Sequence, residues 1–221
     1  MDLQDAVLTR RSIRRFTNGS VSEETIKELV GKALWSPSWG NTQPWEFLAV
    51  RGDALKRLKD ENLKALDAGK QANPDVEMPQ AWPALQKGRY RDVGISVFES
   101  LGIGRDDLEK RSDYYKEMIS FFNAQALLLI TVDKSISLPY SMLDTGLFLQ
   151  TFCLLAHDIG LGTCILAVSV HFPDILRNIC KIEDSKRIII GVALGEPDKE
   201  DPANKFQRKR DNVDMFLNVV S

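Results

Sequence analysis

One segment of the sequence limits the possible folds more than any other. Residues 141–159, SMLDTGLFLQTFCLLAHDI, have the length of a helix and are apolar almost all round. A helix without a polar face has to be covered by protein, either at the centre of a domain or in an interface between subunits. Gly160 and Gly162 follow it and are expected to end it. The segment therefore predicts a helix that other parts of the protein surround.

Two further apolar runs predict strands of a sheet. Residues 126–132, ALLLITV, have few polar positions at a spacing of two, which is typical of a buried strand. Residues 187–194, RIIIGVAL, predict another strong strand. A shorter strand is predicted near 46–50, and TCILAVSV at 163–170 indicates a strand or extended chain.

Apolar residues at helical spacing predict helices over much of the remaining chain. Ser22 is expected to cap one of them, because Glu23 and Glu24 follow it in the first turn. Asp106 or Asp107 is expected to cap the second half of a helix-turn-helix. The predicted helical regions are 2–11, 23–34, 53–66, 98–122 and 173–180.

Residues 68–95 interrupt this pattern. Prolines and glycines break the periodicity at Pro74, Pro79, Pro83, Gly88 and Gly94. A long excursion inside a compact domain is more often a functional lid than a linker. The chain is therefore predicted to be a single domain, 1–221, with a lid-like excursion around 68–120. Its aromatic residues are candidates for lining the lid, although each is expected in the core: Trp82, Tyr90, Phe98, Tyr114, Phe121 and Phe122.

Composition and charge exclude several classes of function. The net charge of −2 argues against nucleic acid as the main partner, because neutralising phosphates needs a clear basic excess. The three cysteines form no C-x-x-C pair and lie in apolar runs, as expected for reduced thiols in the cytoplasm. The longest apolar run is about half of what a membrane span needs, so no membrane association is predicted. No signal peptide and no metal-ligand spacing is visible.

The standard catalytic and nucleotide-binding motifs are absent. Gly102-Ile-Gly104 and Gly160-Leu-Gly162 lack the third glycine of a dinucleotide fingerprint, and no P-loop or G-x-S-x-G occurs. His157 beside Asp158 is expected to be a helix cap or a solvated pair. What remains is a basic segment at 10–15, a second at 208–210, and an aromatic loop at 36–47. Two separated arginine clusters on a nearly neutral chain suggest an anionic small ligand, since arginine binds phosphate through two parallel bonds. For either cluster alone, solvated surface remains the simpler interpretation.

Taken together, these features resemble the nitroreductase family of FMN-dependent oxidoreductases. The matching residues, in chain order, are RRSIRRF at 10–16, SPSWGNTQPWEF at 36–47, DTGLFLQTFCLLAHDIGLGTC at 144–164, and IIIGVALGEPD at 188–198 with RKR at 208–210. The loop is the most specific of these signals. Within the family, the spacing from 82 to 132 is most similar to the branch that reduces nitrobenzoate-type compounds.

The resemblance implies an α+β fold, with a central, mostly antiparallel sheet flanked by helices, in an intertwined homodimer. FMN is expected in two sites built from both chains, with the apolar helix and the apolar C-terminal tail at the interface. The implied reaction is ping-pong: NADH or NADPH transfers hydride to flavin N5 and leaves, and a nitroaromatic or quinone-type acceptor is then reduced. No catalytic side chain is implied, because the flavin carries the hydride.

Other functions remain open. The same fold is compatible with a reductive dehalogenase or a flavin-fragmenting enzyme. A flavin-binding module without turnover is a further alternative. Nucleic-acid binding through the two basic segments is the least favoured, and it would require salt-sensitive affinity.

Position by position, the resemblance implies cofactor contacts from fourteen residues. They are Arg10, Arg11, Ser12, Arg14, Pro37, Ser38, Trp39, Asn41, Cys164, Ile165, Leu166, Ala167, Arg208 and Arg210. The N-terminal residues and the C-terminal arginines are expected at the phosphate and ribityl chain, with Arg14 near the pyrimidine edge. The loop is expected to wrap the flavin ring from the other subunit, and main-chain groups of 164–167 to approach N5.

The chain departs from the family pattern in three respects. Trp39 stands where a small residue is common, which makes it the first candidate for setting acceptor size. Ala167 and Val168 replace residue pairs often seen near N5, and the family's further polar contact from the helix after the first strand has no clear counterpart, with Asn62 as a candidate. Trp45, at the end of the loop, is expected to be structural.

Overall fold

The fold is built around one antiparallel sheet. The computed structural model of the protein describes residues 1–220. Four strands pair in the order β1-β2-β4-β3, and every pair is antiparallel. Their bounds are β1 Trp45–Arg51, β2 Ala126–Asp133, β3 Gly162–Leu166 and β4 Lys186–Gly195. Because β2 and β4 lie inside the sheet, their nearly continuous apolar sequences are buried on both faces, as predicted.

Seven helices within residues 1–220 surround this sheet. They are α1 Leu3–Thr9, α2 Glu23–Ala33, α3 Gly52–Asp67, α4 Ala84–Ser100, α5 Leu108–Ile119, α6 Leu138–Asp158 and α7 Pro173–Cys180. The predicted caps are confirmed: the Ser22 side chain accepts a hydrogen bond from the Thr25 N–H, and Asp107 accepts one from Lys110. None of the helices within residues 1–220 combines the length and apolar character that crossing a membrane requires.

The core is divided between the two faces of the sheet. Leu127 and Leu129 point to one face, where α3, α5 and α7 pack. Leu128 and Ile130 point to the other, where α2 and α6 pack. This alternation follows from the two-residue period of a strand. Trp45 is buried in the second cluster, so its predicted structural role is confirmed, as is the α+β fold.

Helix α6 buries only half of its circumference within one chain. Phe148 and Phe152 are completely buried, and their rings stack 6.0 Å apart between centroids. The opposite side exposes large apolar side chains, including Leu143 at 59% and Leu147 at 39%. The predicted apolar helix is confirmed, but one chain leaves a broad apolar face of it uncovered.

The excursion contains more regular structure than its sequence indicates. Helix α4 runs through both Gly88 and Gly94, although these glycines were expected to interrupt it. Each glycine in a helix costs about 1 kcal/mol relative to alanine, which a helix of this length tolerates. Pro83 lies at the cap of α4, where a proline does not break the backbone hydrogen bonds.

The expectation that all aromatic residues of the excursion are in the core is wrong for Trp82 and Tyr90. Tyr90 is 73% exposed on α4, and Trp82 is about half exposed just before it. The others do pack together: the ring of Tyr114 lies 5.3 Å from that of Phe98 and 5.6 Å from that of Phe122. The sequence pattern missed this difference because the N-terminal half of α4 projects from the core.

The extended chain predicted at 163–170 is half correct. Strand β3 ends at Leu166, and Ala167–Val170 form a 3-10 turn. The Ser169 hydroxyl donates to the Leu166 carbonyl at 2.6 Å, which closes this turn over the sheet. Gly191 of β4 lies directly beneath Ser169, where a larger residue would collide with it.

Candidate functional site

The N-terminal basic segment, residues 10–16, runs along the outer edge of β3. Ser12 pairs with Thr163 in parallel orientation, and the Ile13 N–H donates to the Thr163 carbonyl at 2.9 Å. Gly162 allows this approach, because a Cβ atom there would lie only 2.6 Å from Ile13 Cγ1. The arginines on either side of Ser12 are thereby held at the edge of the sheet.

The C-terminal basic segment, residues 206–211, is fastened to the N-terminal one. The Arg208 guanidinium donates to the carbonyls of Arg10 and Leu8, and Arg11 donates to the Phe206 carbonyl. Asn204 supports the junction, since its side-chain oxygen accepts from the Arg14 N–H at 2.7 Å. Two clusters almost 200 residues apart in sequence are therefore adjacent in the fold.

A cavity of about 570 Å³ lies between these two segments. We call it the arginine cavity. Seven cationic side chains line it against two carboxylates. The predicted residues Arg10, Arg11, Ser12, Arg14, Arg208 and Arg210 all line it. The structure thus brings six of the fourteen expected contact residues to one place.

The electrostatics of the arginine cavity favour an anion. Burial, followed by repulsion from Arg208 and Arg14, lowers the pKa of Arg11. Burial, then Arg210 and Arg10, likewise lowers the pKa of Arg208. Within residues 1–220, the buried Nε atoms of Arg10 and Arg11 have no hydrogen-bond partner. Partly desolvated, mutually repelling guanidiniums with unused donors are complementary to a phosphate group.

Helix α4 forms a wall of the arginine cavity that the sequence did not identify. Arg89, Asp92, Val93 and Ser96 face it. The Arg89 Nε donates to Asp211 Oδ2 at 2.6 Å, and its guanidinium lies 5.1 Å from the centroid of the Phe216 ring. The only sequence signal was the lid-like character of the excursion, which did not point to individual residues.

The expected main-chain contacts at 164–167 lie close to this site but do not line the cavity. Cys164 lies on the edge strand β3, directly after Thr163, with which Ser12 pairs. The side chains of Cys164 and Leu166 are buried, whereas Ile165 is partly exposed. Burial raises the pKa of the Cys164 thiol to about 11, so this side chain is a neutral packing group. Ala167 begins the 3-10 turn.

The aromatic loop, residues 36–47, lies away from the arginine cavity within one chain. None of Pro37, Ser38, Trp39 and Asn41 lines that cavity. Instead the loop is held against α6, where the Trp39 N–H donates to Asp144 Oδ1 at 3.0 Å. The Trp39 side chain remains 65% exposed. A single chain therefore presents the two expected halves of the site separately.

Asn62 is on α3, as the sequence indicated, but it is buried and does not line the cavity. Its Oδ1 atom has no hydrogen-bond partner within residues 1–220. A polar contact from this position to a ligand in the arginine cavity is therefore not supported.

The sequence and the fold are both similar to those of known proteins. The Nitroreductase family profile matches residues 7–196. The chain is 29% identical to 4-nitrobenzoate reductase of Pseudomonas putida over 224 residues, covering 99% of this chain and 96% of that protein. It is 27% identical to iodotyrosine deiodinase of Hydra vulgaris over 220 residues, covering 94% of this chain and 69% of that protein.

Among solved structures, the fold is similar to the FMN and NADPH-dependent nitroreductase NfnB from sphigopyxis sp. strain HMH. The TM-score is 0.95 at 26% identity, and the match covers 100% of both chains. The range matched by the family profile contains the N-terminal basic segment, the aromatic loop, α6 and the β3–β4 pair. The chain therefore belongs to the Nitroreductase family.

Proposed function

We propose that the protein is an FMN-dependent oxidoreductase that uses NADH or NADPH to reduce nitroaromatic or quinone-type acceptors. The observation that carries this proposal is the arginine cavity, with its excess of cations and its unused guanidinium donors. The relatives support it, since one is named 4-nitrobenzoate reductase and another is described as an FMN and NADPH-dependent nitroreductase.

The residues of the arginine cavity fit the phosphate of FMN. Arg10, Arg11, Arg208 and Arg210 would hold the phosphate through charge-assisted bonds, and the Ser12 hydroxyl would add a neutral one. When bound, FMN supplies the capacity to accept a hydride and pass it on.

Two further parts of the chain would contact the flavin ring. Arg14 would place a cation near the pyrimidine edge and stabilise negative charge there. Main-chain groups of Cys164, Ile165, Leu166 and Ala167 would border the ring, because β3 continues from the point that Ser12 occupies.

We propose that the other half of each site comes from a second subunit. In this arrangement Pro37, Ser38, Trp39 and Asn41 cover the flavin bound by the partner. Supporting this, one chain exposes large apolar side chains on α6, at Trp35 and along the C-terminal tail. Large exposed apolar patches on a folded chain are typical of interaction sites. Light scattering during gel filtration should give twice the mass of one chain, and a monomer would contradict the shared site.

The organisation and location of the protein are also proposals. All of 1–221 would form a single flavin-binding domain, in which the excursion around 68–120 acts as a lid through α4. The three cysteines are free, which fits a reducing cytoplasm.

The direct test uses purified protein under anaerobic conditions. It should be yellow, its flavin absorbance should be bleached by NADH or NADPH, and 4-nitrobenzoate or benzoquinone should restore the colour. Initial rates at several acceptor concentrations should give the parallel double-reciprocal lines of a ping-pong reaction. A colourless protein that takes up no added FMN would contradict the proposal.

A second candidate within the same fold is reductive dehalogenation. The similarity to the Hydra iodotyrosine deiodinase is the observation that favours it. Incubating the reduced protein with 3-iodotyrosine and measuring released iodide would decide between the two. Iodide release with no nitroarene turnover would replace the leading proposal with this one.

A further inference from the structure

The aromatic loop is fastened to one face of α6 at three points. The Trp39 ring packs 5.8 Å from the Tyr140 ring, and its N–H donates to Asp144. Three residues earlier, the Ser36 hydroxyl donates to Thr151 Oγ1 at 2.8 Å. Positions 140, 144 and 151 lie on the same side of an α-helix, because the spacings of four and seven are close to whole turns. The loop is therefore held along one side of α6.

Asp144 is the unusual member of this set. Its side chain is only 3% exposed, although a carboxylate is unfavourable away from water unless it accepts hydrogen bonds. Within residues 1–220, the Asp144 carboxylate accepts one hydrogen bond from another segment of the chain, and the donor is the Trp39 N–H. A charged acceptor makes such a bond about twice as strong as a neutral one.

The backbone after Trp39 needs this kind of support. Gly40, Asn41 and Gln43 all have left-handed conformations, with φ of 56°, 58° and 46°. Residues other than glycine adopt this region reluctantly, so the turn persists only where surrounding contacts determine it. The bond from Trp39 to Asp144 precedes the turn, and the Gln43 N–H donates to Ser38 Oγ across it at 3.0 Å.

We propose that Asp144 is a positioning residue that holds Trp39 in place, with Tyr140 supporting the ring, and thereby sets the size of aromatic acceptor that the enzyme accepts. The inference rests on the proposed function, in which Trp39 covers the flavin of the other subunit and therefore borders the space of the acceptor. Asp144 acts through Trp39 and touches neither cofactor nor acceptor. The recognised substrates are compact nitroarenes or quinones, and larger fused rings are excluded by the fixed indole.

The first test measures the loop directly, by hydrogen exchange of the Trp39 amide. Asp144→Leu removes the acceptor and keeps the branched shape of the side chain, and Asp144→Asn keeps a carbonyl oxygen in its place. Thr145→Val is the matched control, since Thr145 is equally buried on α6 and its Oγ1 has no partner within residues 1–220. We expect exchange to accelerate by about 10- to 100-fold in Asp144→Leu, by less in Asp144→Asn, whose neutral oxygen accepts a weaker bond, and little in Thr145→Val. Unchanged exchange in Asp144→Leu would overturn the proposal.

The second test measures selectivity as the ratio of kcat/KM for 1-nitronaphthalene to that for nitrobenzene. Trp39→Ser and Asp144→Leu should both raise this ratio, and the double variant should show no further rise, because both changes act through one group. Tyr140→Leu should raise it too, because it removes the aromatic ring that supports Trp39 and keeps an apolar side chain on α6. Asp144→Asn should lie between the wild type and Asp144→Leu, because it keeps an acceptor but loses the charge.

The outcomes separate the inference from the function it rests on. If Asp144→Leu and Tyr140→Leu leave the ratio unchanged while flavin binding and turnover are normal, the positioning role is wrong and the proposed function stands. If Asp144→Asn behaves like Asp144→Leu, the hydrogen bond to Trp39 is not the cause. A wild-type protein that binds no FMN would overturn the proposed function together with the acceptor role of Trp39.

Discussion

Replacing Arg208 by alanine should weaken FMN binding by about 10- to 150-fold. Arg208 lies in the arginine cavity close enough to Arg10 and Arg210 for their charges to lower its pKa. A lost charge-assisted hydrogen bond is worth about 1.5–3 kcal/mol, and each 1.4 kcal/mol corresponds to about a tenfold change in Kd. Removing Arg208 also relieves its repulsion with Arg10 and Arg210, which offsets part of the lost binding free energy.

The assay has to separate phosphate binding from a structural effect, because Arg208 also bonds to the carbonyls of Leu8 and Arg10. Apo-protein should be titrated with FMN and with riboflavin, which lacks the phosphate, by following flavin fluorescence. The wild type should prefer FMN, and Arg208→Ala should lose most of this preference. Lys205→Ala is the control, since Lys205 belongs to the same part of the chain, pairs with Glu200 at 2.7 Å and does not line the cavity.

Two results would refute the reasoning. Equal losses for FMN and riboflavin would mean that Arg208 only supports the N-terminal segment. No loss in either Arg208→Ala or Arg10→Ala would mean that the phosphate binds elsewhere. Repeating the titration at higher salt provides a further check, because an exposed phosphate contact weakens as ionic strength rises.

The remaining predictions concern stability. Gly162→Ala should destabilise the fold by about 1–3 kcal/mol in urea unfolding, because its methyl group would press on Ile13, whereas Gly88→Ala on α4 meets no neighbouring atom and should not. Phe152→Ala should cost about 3–5 kcal/mol, since the ring is completely buried, and a smaller loss would show that the site collapses. Burial, then two neighbouring arginines, lowers the pKa of His157 from its ordinary value of 6.5. The unfolded state therefore binds this proton more readily, and stability should fall as the pH drops below about 6.5 towards the lowered pKa. His157→Gln should flatten that part of the Tm-against-pH curve, and an identical curve would contradict it.

The parts of the fold that the sequence predicts are those decided by local composition. Strand β2 and helix α6 have enough apolar residues that burial is their only stable environment. The caps at Ser22 and Asp107 are equally local, because a side chain bonds to a backbone group three residues later. The prediction was wrong for α4, because Gly88 and Gly94 suggested an interruption that the helix in fact tolerates.

The candidate site was predictable only through resemblance. The basic segments could be recognised as anion binders, but nothing in their composition brings Arg208 to Arg10. Two other contacts are also distant in sequence: Arg89 bonds to Asp211 and Trp39 to Asp144, each more than 100 residues apart. Such contacts depend on how the elements pack, which periodicity does not record.

The position of the N-terminal basic segment has a consequence for solubility. An unpaired sheet edge is a template for pairing with another chain, and β3 is the outermost strand. Ser12 and Ile13 cover that edge at Thr163, so the segment that carries the proposed phosphate contacts also blocks intermolecular strand pairing. Removing residues 1–9 would keep this cover in place. Removing residues 1–16 would uncover the edge, and aggregation would then accompany the loss of the phosphate contacts.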